Sequence, residues 1–180
     1  MTNRASDQAH ALDSIVGRAA AGEERAFATL VRAHHESMLR VAFVITGDRE
    51  VAADAVQTAW SVAWRRLGTL RDASAIKTWL VAIAANEARL SLRRQRRRAV
   101  VELAITPNGD TDDPGRRIAI VDLQRAMRGL SANDRMLLAL RFAAGLESAE
   151  IAGHLQLSAS GVRSRLARLL ERLRRELDHV

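Results

Sequence analysis

Residues 148–167 read SAEIAGHLQLSASGVRSRLA, and the spacing of their apolar residues decides the fold. Ile151 and Leu155 share one helix face with the small Ala152 beside them, while Val162 opens a second stripe that continues through Leu166, Leu169 and Leu173. Two helices joined by a very short turn need a small residue where they cross and apolar residues to fix the angle, which is the pattern of a helix-turn-helix. Arg165, Arg168 and Arg172 follow at i, i+3 and i+7, on an outer face where major-groove contacts are made. An αα-hairpin with a solvated arginine face is the plainer reading; charge and spacing together favour DNA. Gln156 stands where such turns usually carry glycine, at a cost of roughly 1 kcal/mol if its φ is positive. Gly161 early in the second helix is unfavourable by up to about 1 kcal/mol relative to alanine.

Working outward, the whole chain of 180 residues has the size of one ordinary domain or two small ones. Of its 28 basic residues only Lys77 is lysine, and 21 acids leave a net charge of +7. That balance points to a polyanionic partner, nucleic acid first. The heavy use of arginine and alanine also looks like coding bias, so part of the charge carries no function. With no cysteine there is no disulfide, thiolate chemistry or Cys-ligated zinc, and a reducing, cytoplasmic setting is expected. Two prolines and 3% aromatics favour helices over sheet. No apolar run spans a membrane and no secretory h-region stands at the start.

The periodicity predicts an all-α fold. A first stripe (Ile15, Val16, Ala19) is separated from a second (Phe27, Leu30, Val31, Met38, Val41, Ala42, Ile45) by Gly22, and Gly47-Asp48 ends the second. A third helix from about Glu50 buries Ala52, Ala55, Val56, Ala59, Trp60, Ala63, Trp64 and Leu67. Residues 68–74 read as a loop. A long helix from about Ala75 turns Ile76, Leu80, Ile83 and Leu90 inward and ends in the run Arg89–Arg98, which holds six arginines and no acid. Residues 99–120 lose the period and gather Pro107, Asn108-Gly109, three aspartates and Pro114-Gly115, so they read as a flexible linker. Helices at 121–130, from Ser131 to Gly145, near 148–155 and at 159–177 complete the chain. Ser131 caps the second of these, with Asp134 as its capping-box partner. The expected organisation is a helical domain over 1–98, the linker 99–120 and a helix-turn-helix domain over 121–180.

Two further groups stand out. Asp54, Gln57 and Ser61 lie at i, i+3 and i+7 opposite the apolar stripe, on one exposed face. Trp79 and Asn86 align with Arg89 and Arg93 in a combination suited to an opened nucleic-acid strand, where bases stack, base edges bond and phosphates are neutralised. Trp79 in the core is an equally good reading, and the arginine run taken alone is equally a solvated helix end. Catalysis finds no support: no histidines are paired at helical spacing, and there is no phosphate loop, HExxH or GxSxG. No cofactor and no metal site are expected, and the chain is read as a non-enzyme.

Certain stretches then take on meaning together: Asp54-Ala-Val-Gln57-Thr-Ala-Trp60, Thr78-Trp79-Leu80-Val-Ala-Ile83-Ala84-Ala-Asn86, Leu130-Ser131 with Arg135, Gly145-Leu146, Glu150-Ile151-Ala152 and Val162-Arg163-Ser164-Arg165-Leu166. In this order and separation the chain resembles bacterial RNA polymerase sigma factors of the sigma-70 family, extracytoplasmic-function (ECF) group, over about 12–98 (region 2) and 121–177 (region 4). The resemblance implies a subunit that binds RNA polymerase core, through the clamp helices of the largest subunit and the flap of the second-largest, and directs it to promoter DNA. Asp54, Gln57 and Ser61 would face the clamp helices. Arg71, Asp72, Ser74 and Lys77, in a loop over 71–78, would capture a base flipped from the −10 element, at a cost of a few kcal/mol that polymerase contacts help to meet. Trp79, Asn86, Arg89 and Arg93 would flank that pocket. Arg163, Ser164, Arg165, Ala167, Arg168 and Arg172 would lie on the −35 element. An anti-sigma partner and a cytoplasmic, nucleoid-associated location are further expectations of the family. Ala53, Thr58, Ala82, Ala85 and Gly161 depart from its pattern, the alanines at 82 and 85 standing where basic residues are common.

Two rival readings remain. A stand-alone helix-turn-helix regulator explains 121–180 but leaves the Asp54 face idle. A helical adaptor or RNA-binding protein explains little beyond the charge.

Overall fold

The computed structural model describes residues 3–99, 123 and 125–178, with side chains from residue 10 to 95 and again at 123 and 125–178. Four helices form the N-terminal unit: α1 (Asn3–Ala20), α2 (Glu24–Thr46), α3 (Arg49–Arg66) and α4 (Ile76–Ala99). Their ends follow from local chemistry. Gly22 (φ +93°) and Gly47 (φ +72°) take left-handed conformations that only glycine adopts freely, so they stop α1 and α2. Asp48 then starts α3 by accepting from the Val51 N–H at 3.0 Å.

The core of this unit is built from Met38, Val41, Ala42 and Ile45 of α2, the alanine-rich face of α3 (Ala52, Ala55, Val56, Ala59, Ala63) and Leu80, Val81, Ala84 and Ala88 of α4. So many alanines bring helix axes close together, and α2, α3 and α4 pack as a tight trio. The segment expected as a loop contains two short 3-10 turns, Leu67–Thr69 and Ala73–Ala75. The second turn is started by Asp72, whose carboxylate accepts from the Ser74 N–H (2.9 Å) and hydroxyl (2.6 Å).

In the C-terminal unit residues 125–128 are helical, and α5 (Ala132–Leu138), α6 (Ser148–Leu155) and α7 (Ala159–Asp178) follow. Ser131 caps α5 as expected, accepting from the Asp134 N–H at 3.1 Å. The Asp134 carboxylate does not complete a capping box on the Ser131 backbone; it accepts from the Ser131 hydroxyl instead, at 2.6 Å. One turn of wider π-helix, Ala139–Ala143, ends that helix, with the Ala144 N–H reaching back to the Ala139 carbonyl at 3.0 Å. Gly145, at φ +74°, then reverses the chain. The expected linker 99–120 lies outside the described residues, except for Ala99 at the end of α4, as do residues 121, 122 and 124 of the expected 121–130 helix.

The two units share one apolar cluster. α5 and the π turn lie on α2 and α4, placing Leu137, Ala139 and Leu140 against the N-terminal core. Arg135, 4% exposed, sits in this seam; it donates to the Ile45 carbonyl at the end of α2 (3.2 Å) and to the Arg128 carbonyl (2.9 Å). A cation at the C-terminal end of a helix meets the negative end of its dipole. Thr78 adds a second polar tie by donating to Glu150 of α6 at 3.0 Å.

Packing on two sides changes α4. Ile76 and Leu80 are buried as expected, whereas Ile83 and Leu90 are only half-buried, and Val81, Ala84, Ala85, Ala88 and Leu92 are buried instead. Ala85 is 0% exposed, so that position serves packing here and not charge. Trp64, expected in the core, is 39% exposed, held edge-on against Phe27 at 4.8 Å between ring centroids.

Candidate nucleic-acid interface

The helix-turn-helix forms with α6 and α7 crossing over Ile151, Ala152, Val162 and Leu166, all buried. Gln156 carries the left-handed turn at φ +55°, alone among the described non-glycine residues in having a positive φ, and its N–H donates to the Ala152 carbonyl. Ser158 starts α7 by accepting from the Gly161 N–H at 3.0 Å. A Cβ on Gly161 would stand 3.1 Å from that hydroxyl oxygen, so glycine leaves the cap undisturbed.

The six residues expected at a −35 element divide into two sets. Arg163, Ser164, Ala167 and Arg168 are exposed on the outer arc of α7. Arg165 and Arg172 stand at the margin of the buried Val162, Leu166, Leu169, Leu173 stripe. Arg165 donates from Nε to Asp134 Oδ1 at 2.9 Å, with Nη2 at ion-pair distance, 2.8 Å, from the same oxygen. Arg172 bonds Glu176 (2.9 Å) and reaches toward the Gly129 carbonyl (3.4 Å). Of the face shared by Arg165, Arg168 and Arg172 in the sequence reading, Arg165 is turned onto α5, while Arg168 and Arg172 stay exposed, Arg172 pairing within α7. Burial alone would raise the Asp134 carboxyl, but bonds from Ser131 and Arg165 outweigh it and hold the group below its ordinary value.

The residues expected at a −10 element follow the start and outer side of α4. Arg71, Asp72, Ser74 and Lys77 are exposed, and the bonds from Ser74 pull the Asp72 carboxyl down. Trp79 is half-buried against the core, so it joins the packing that one of its two readings assigned it. Asn86 and Arg89 are half-buried and bonded to each other, Arg89 Nη2 to Asn86 Oδ1 at 2.7 Å; Arg93 is exposed. Asn86 and Arg89 open into a polar cleft of about 280 Å³ between the units, whose far wall includes Asn133, His154, Gln156 and Arg165. Sequence reasoning had no means of seeing this meeting of the two halves, since nothing periodic links Asn86 to Arg165. Burial depresses the His154 imidazole, with Glu150 opposing, and burial followed by the nearby Lys77 charge depresses that of His34.

On α3, Asp54, Gln57 and Ser61 are exposed together, as expected. Among the described residues no cation pairs with Asp54, and Ser61 makes a long bond to the Gln57 carbonyl at 3.3 Å. Trp64 extends this row by one further turn, beside a shallow hollow lined by Phe27, Ala28, Val31 and Arg32. Its i+3 spacing from Ser61 was a legible signal that the sequence reading assigned to the core. A second, apolar cavity of about 500 Å³ lies where the units meet, with Phe43, Leu123, Met127 and Phe142 in its lining; Phe142 is 61% exposed. Among the described residues no helix is long and apolar enough to cross a membrane, and no group of three potential metal ligands occurs.

Two family models match the chain, Sigma-70 region 2 over residues 30–98 and Sigma-70, region 4 over residues 120–173. The chain is 32% identical over 162 residues to the ECF RNA polymerase sigma factor SigM of Mycobacterium tuberculosis, covering 89% of this chain and 81% of that one. It is 33% identical over 168 residues to a protein of Xanthomonas campestris named "Probable RNA polymerase sigma factor RfaY", covering 88% of this chain but 42% of that longer relative. Among solved structures, the sigma factor RpoE bound to the anti-sigma factor NepR from Bartonella quintana has the same fold, with a TM-score of 0.68 at 22% identity over 84% of this chain and 96% of that one.

Proposed function

The chain belongs to the sigma-70 family, in the ECF group of RNA polymerase sigma factors, and on that premise we propose that it joins polymerase core and directs promoter-specific initiation through −10 and −35 elements. What carries the reading is that the two matched segments fall on the two helical units, each of which presents its own exposed polar face. Asp54, Gln57 and Ser61, continued by Trp64, form the edge offered to the clamp helices of the largest polymerase subunit. An exposed tryptophan at the end of a polar row is the kind of anchor that dominates protein interfaces. The C-terminal unit meets the flap of the second-largest subunit.

On DNA, the outer arc of α7 enters the major groove of the −35 element, with Arg163 and Arg168 as donors to base edges or phosphates and Ser164 and Ala167 close to the bases. Arg71, Asp72, Ser74 and Lys77 surround a base extruded from the −10 element, and Asn86, Arg89 and Arg93 hold the adjoining strand. Trp79 supports that site from the core side. The protein performs no covalent chemistry and works in the cytoplasm, at the nucleoid. An anti-sigma protein is a further partner, for which the apolar cavity between the units is the natural seat.

Pull-down with purified polymerase core tests this reading against a stand-alone helix-turn-helix regulator. We expect a stoichiometric complex that survives removal of DNA. Binding to DNA without any complex with core would favour the regulator.

A further inference from the structure

We propose that Arg165 is a positioning residue and not a base reader: by clasping Asp134 it sets the angle at which α7 is presented to the −35 element. This rests on the −35 assignment and deepens it.

The geometry separates Arg165 from its neighbours. Arg163, Ser164, Ala167 and Arg168 look outward, whereas the Arg165 guanidinium is turned onto α5, where Nε donates to Asp134 Oδ1 at 2.9 Å and Nη2 lies at ion-pair distance, 2.8 Å, from the same oxygen. The partner is itself fixed. Asp134 has a side chain only 17% exposed, belongs to the first turn of α5, and takes the Ser131 hydroxyl on its other oxygen at 2.6 Å. A planar guanidinium anchored by the Nε bond, with Nη2 against the same oxygen, fixes the lie of the side chain more than a point charge does. The clasp bridges 31 residues of sequence and ties the second helix of the helix-turn-helix to the start of the helix that leads into it.

Arg172 acts two turns further along on the same side, reaching the Gly129 carbonyl just before α5. Its charge also helps hold the Asp134 carboxyl down. α7 is thus held at Arg165 on one margin while its outer arc stays open. For Arg165 to reach a base it would have to leave Asp134, stranding a partly buried carboxylate without its cation.

The test uses the full-length protein assembled with polymerase core, and selects −35 sequences from a randomised promoter library. The variants are Arg165→Ala, Asp134→Asn and the double variant. Asp134→Asn keeps the shape of the side chain and the Ser131 interaction while removing the charge that Arg165 grips. If Arg165 positions α7, both single variants weaken promoter binding by a similar factor, about tenfold, with the preferred −35 sequence unchanged. The double variant is then no weaker than either, and Asp134→Glu, which retains a carboxylate, recovers most of the loss. Assembly with core stays at the wild-type level, which separates a tilted helix from an unfolded one. The inference is overturned if Arg165→Ala relaxes the preference at one base pair while Asp134→Asn binds as tightly as wild type or more tightly. Should Arg165→Ala fail to assemble, Asp134→Asn alone decides between these outcomes. If the wild-type holoenzyme selects no −35 sequence at all, the −35 assignment falls and this inference with it.

Discussion

The exposed faces of α3 and α7, the two proposed to meet polymerase core and promoter DNA, are both polar and helical, yet the fold treats them differently. Beneath Asp54, Gln57 and Ser61 the support is a bed of alanines, and no described residue pairs with the Asp54 carboxylate. On α7 the arginines are partly spoken for, Arg165 by Asp134 and Arg172 by Glu176 and Gly129. A surface group the fold leaves unengaged is free to serve a partner alone. A group the fold engages serves the partner through the position of its helix. Substitutions on α3 should therefore change binding without changing stability, and those along the inner margin of α7 should change both.

The largest effect should come from the seam the two regions share. Leu137 is fully buried in the apolar cluster that joins the units, so Leu137→Ala should destabilise by about 2–5 kcal/mol. Thermal melting should show one earlier transition for the whole protein; a loss confined to one of two separate transitions would show that the units are stabilised independently. Next, Arg163→Ala removes a charged donor from the outer arc of α7. It should cost about 1–3 kcal/mol of promoter affinity and broaden the selected −35 sequence while leaving the melting temperature in place. Equal weakening on scrambled DNA would identify Arg163 as a phosphate contact instead. On α3, replacing Asp54 and Gln57 together by alanine should weaken core binding about tenfold in a titration, with unchanged melting. A fall in melting temperature would erase the contrast between the two faces.

Smaller effects sharpen the same picture. Gln156→Gly relieves a left-handed turn and should stabilise by up to about 1 kcal/mol in denaturant unfolding. Acidification is the mildest probe. His34 and His154 have folded values below the ordinary 6.5, so the unfolded chain binds protons first and stability falls as pH drops from about 6.5 through those values. Melting temperatures between about pH 7.5 and 5.5 should decline, and a His34→Gln, His154→Gln variant should flatten the decline.

Much of this was legible in the chain. Gly22, Gly47 and Gly145 announced three helix ends, since each sits between apolar stripes of helical period and takes a positive φ. The Asp54, Gln57, Ser61 row followed from spacing alone. What escaped were properties that depend on remote packing. The stripe on α4 was read for one burying surface, but α5 and the π turn supply a second, which is why Val81, Ala85 and Leu92 are buried while Ile83 and Leu90 are not. The Arg165–Asp134 pair was invisible because its partners lie 31 residues apart, beyond the reach of any i+3 or i+4 rule. The meeting of Asn86 and Arg89 with Arg165 across one cleft needed both units in place.

The central claim is that one chain couples a polymerase-binding face to a duplex-reading helix. Transcription in vitro, with purified core, this protein and a library of genomic fragments, tests it most directly. The account predicts RNA starting at defined sites downstream of a shared pair of −10 and −35 sequences, and losing those starts when Asp54 and Gln57 are replaced. RNA that begins at random, with the protein present or absent, would contradict it.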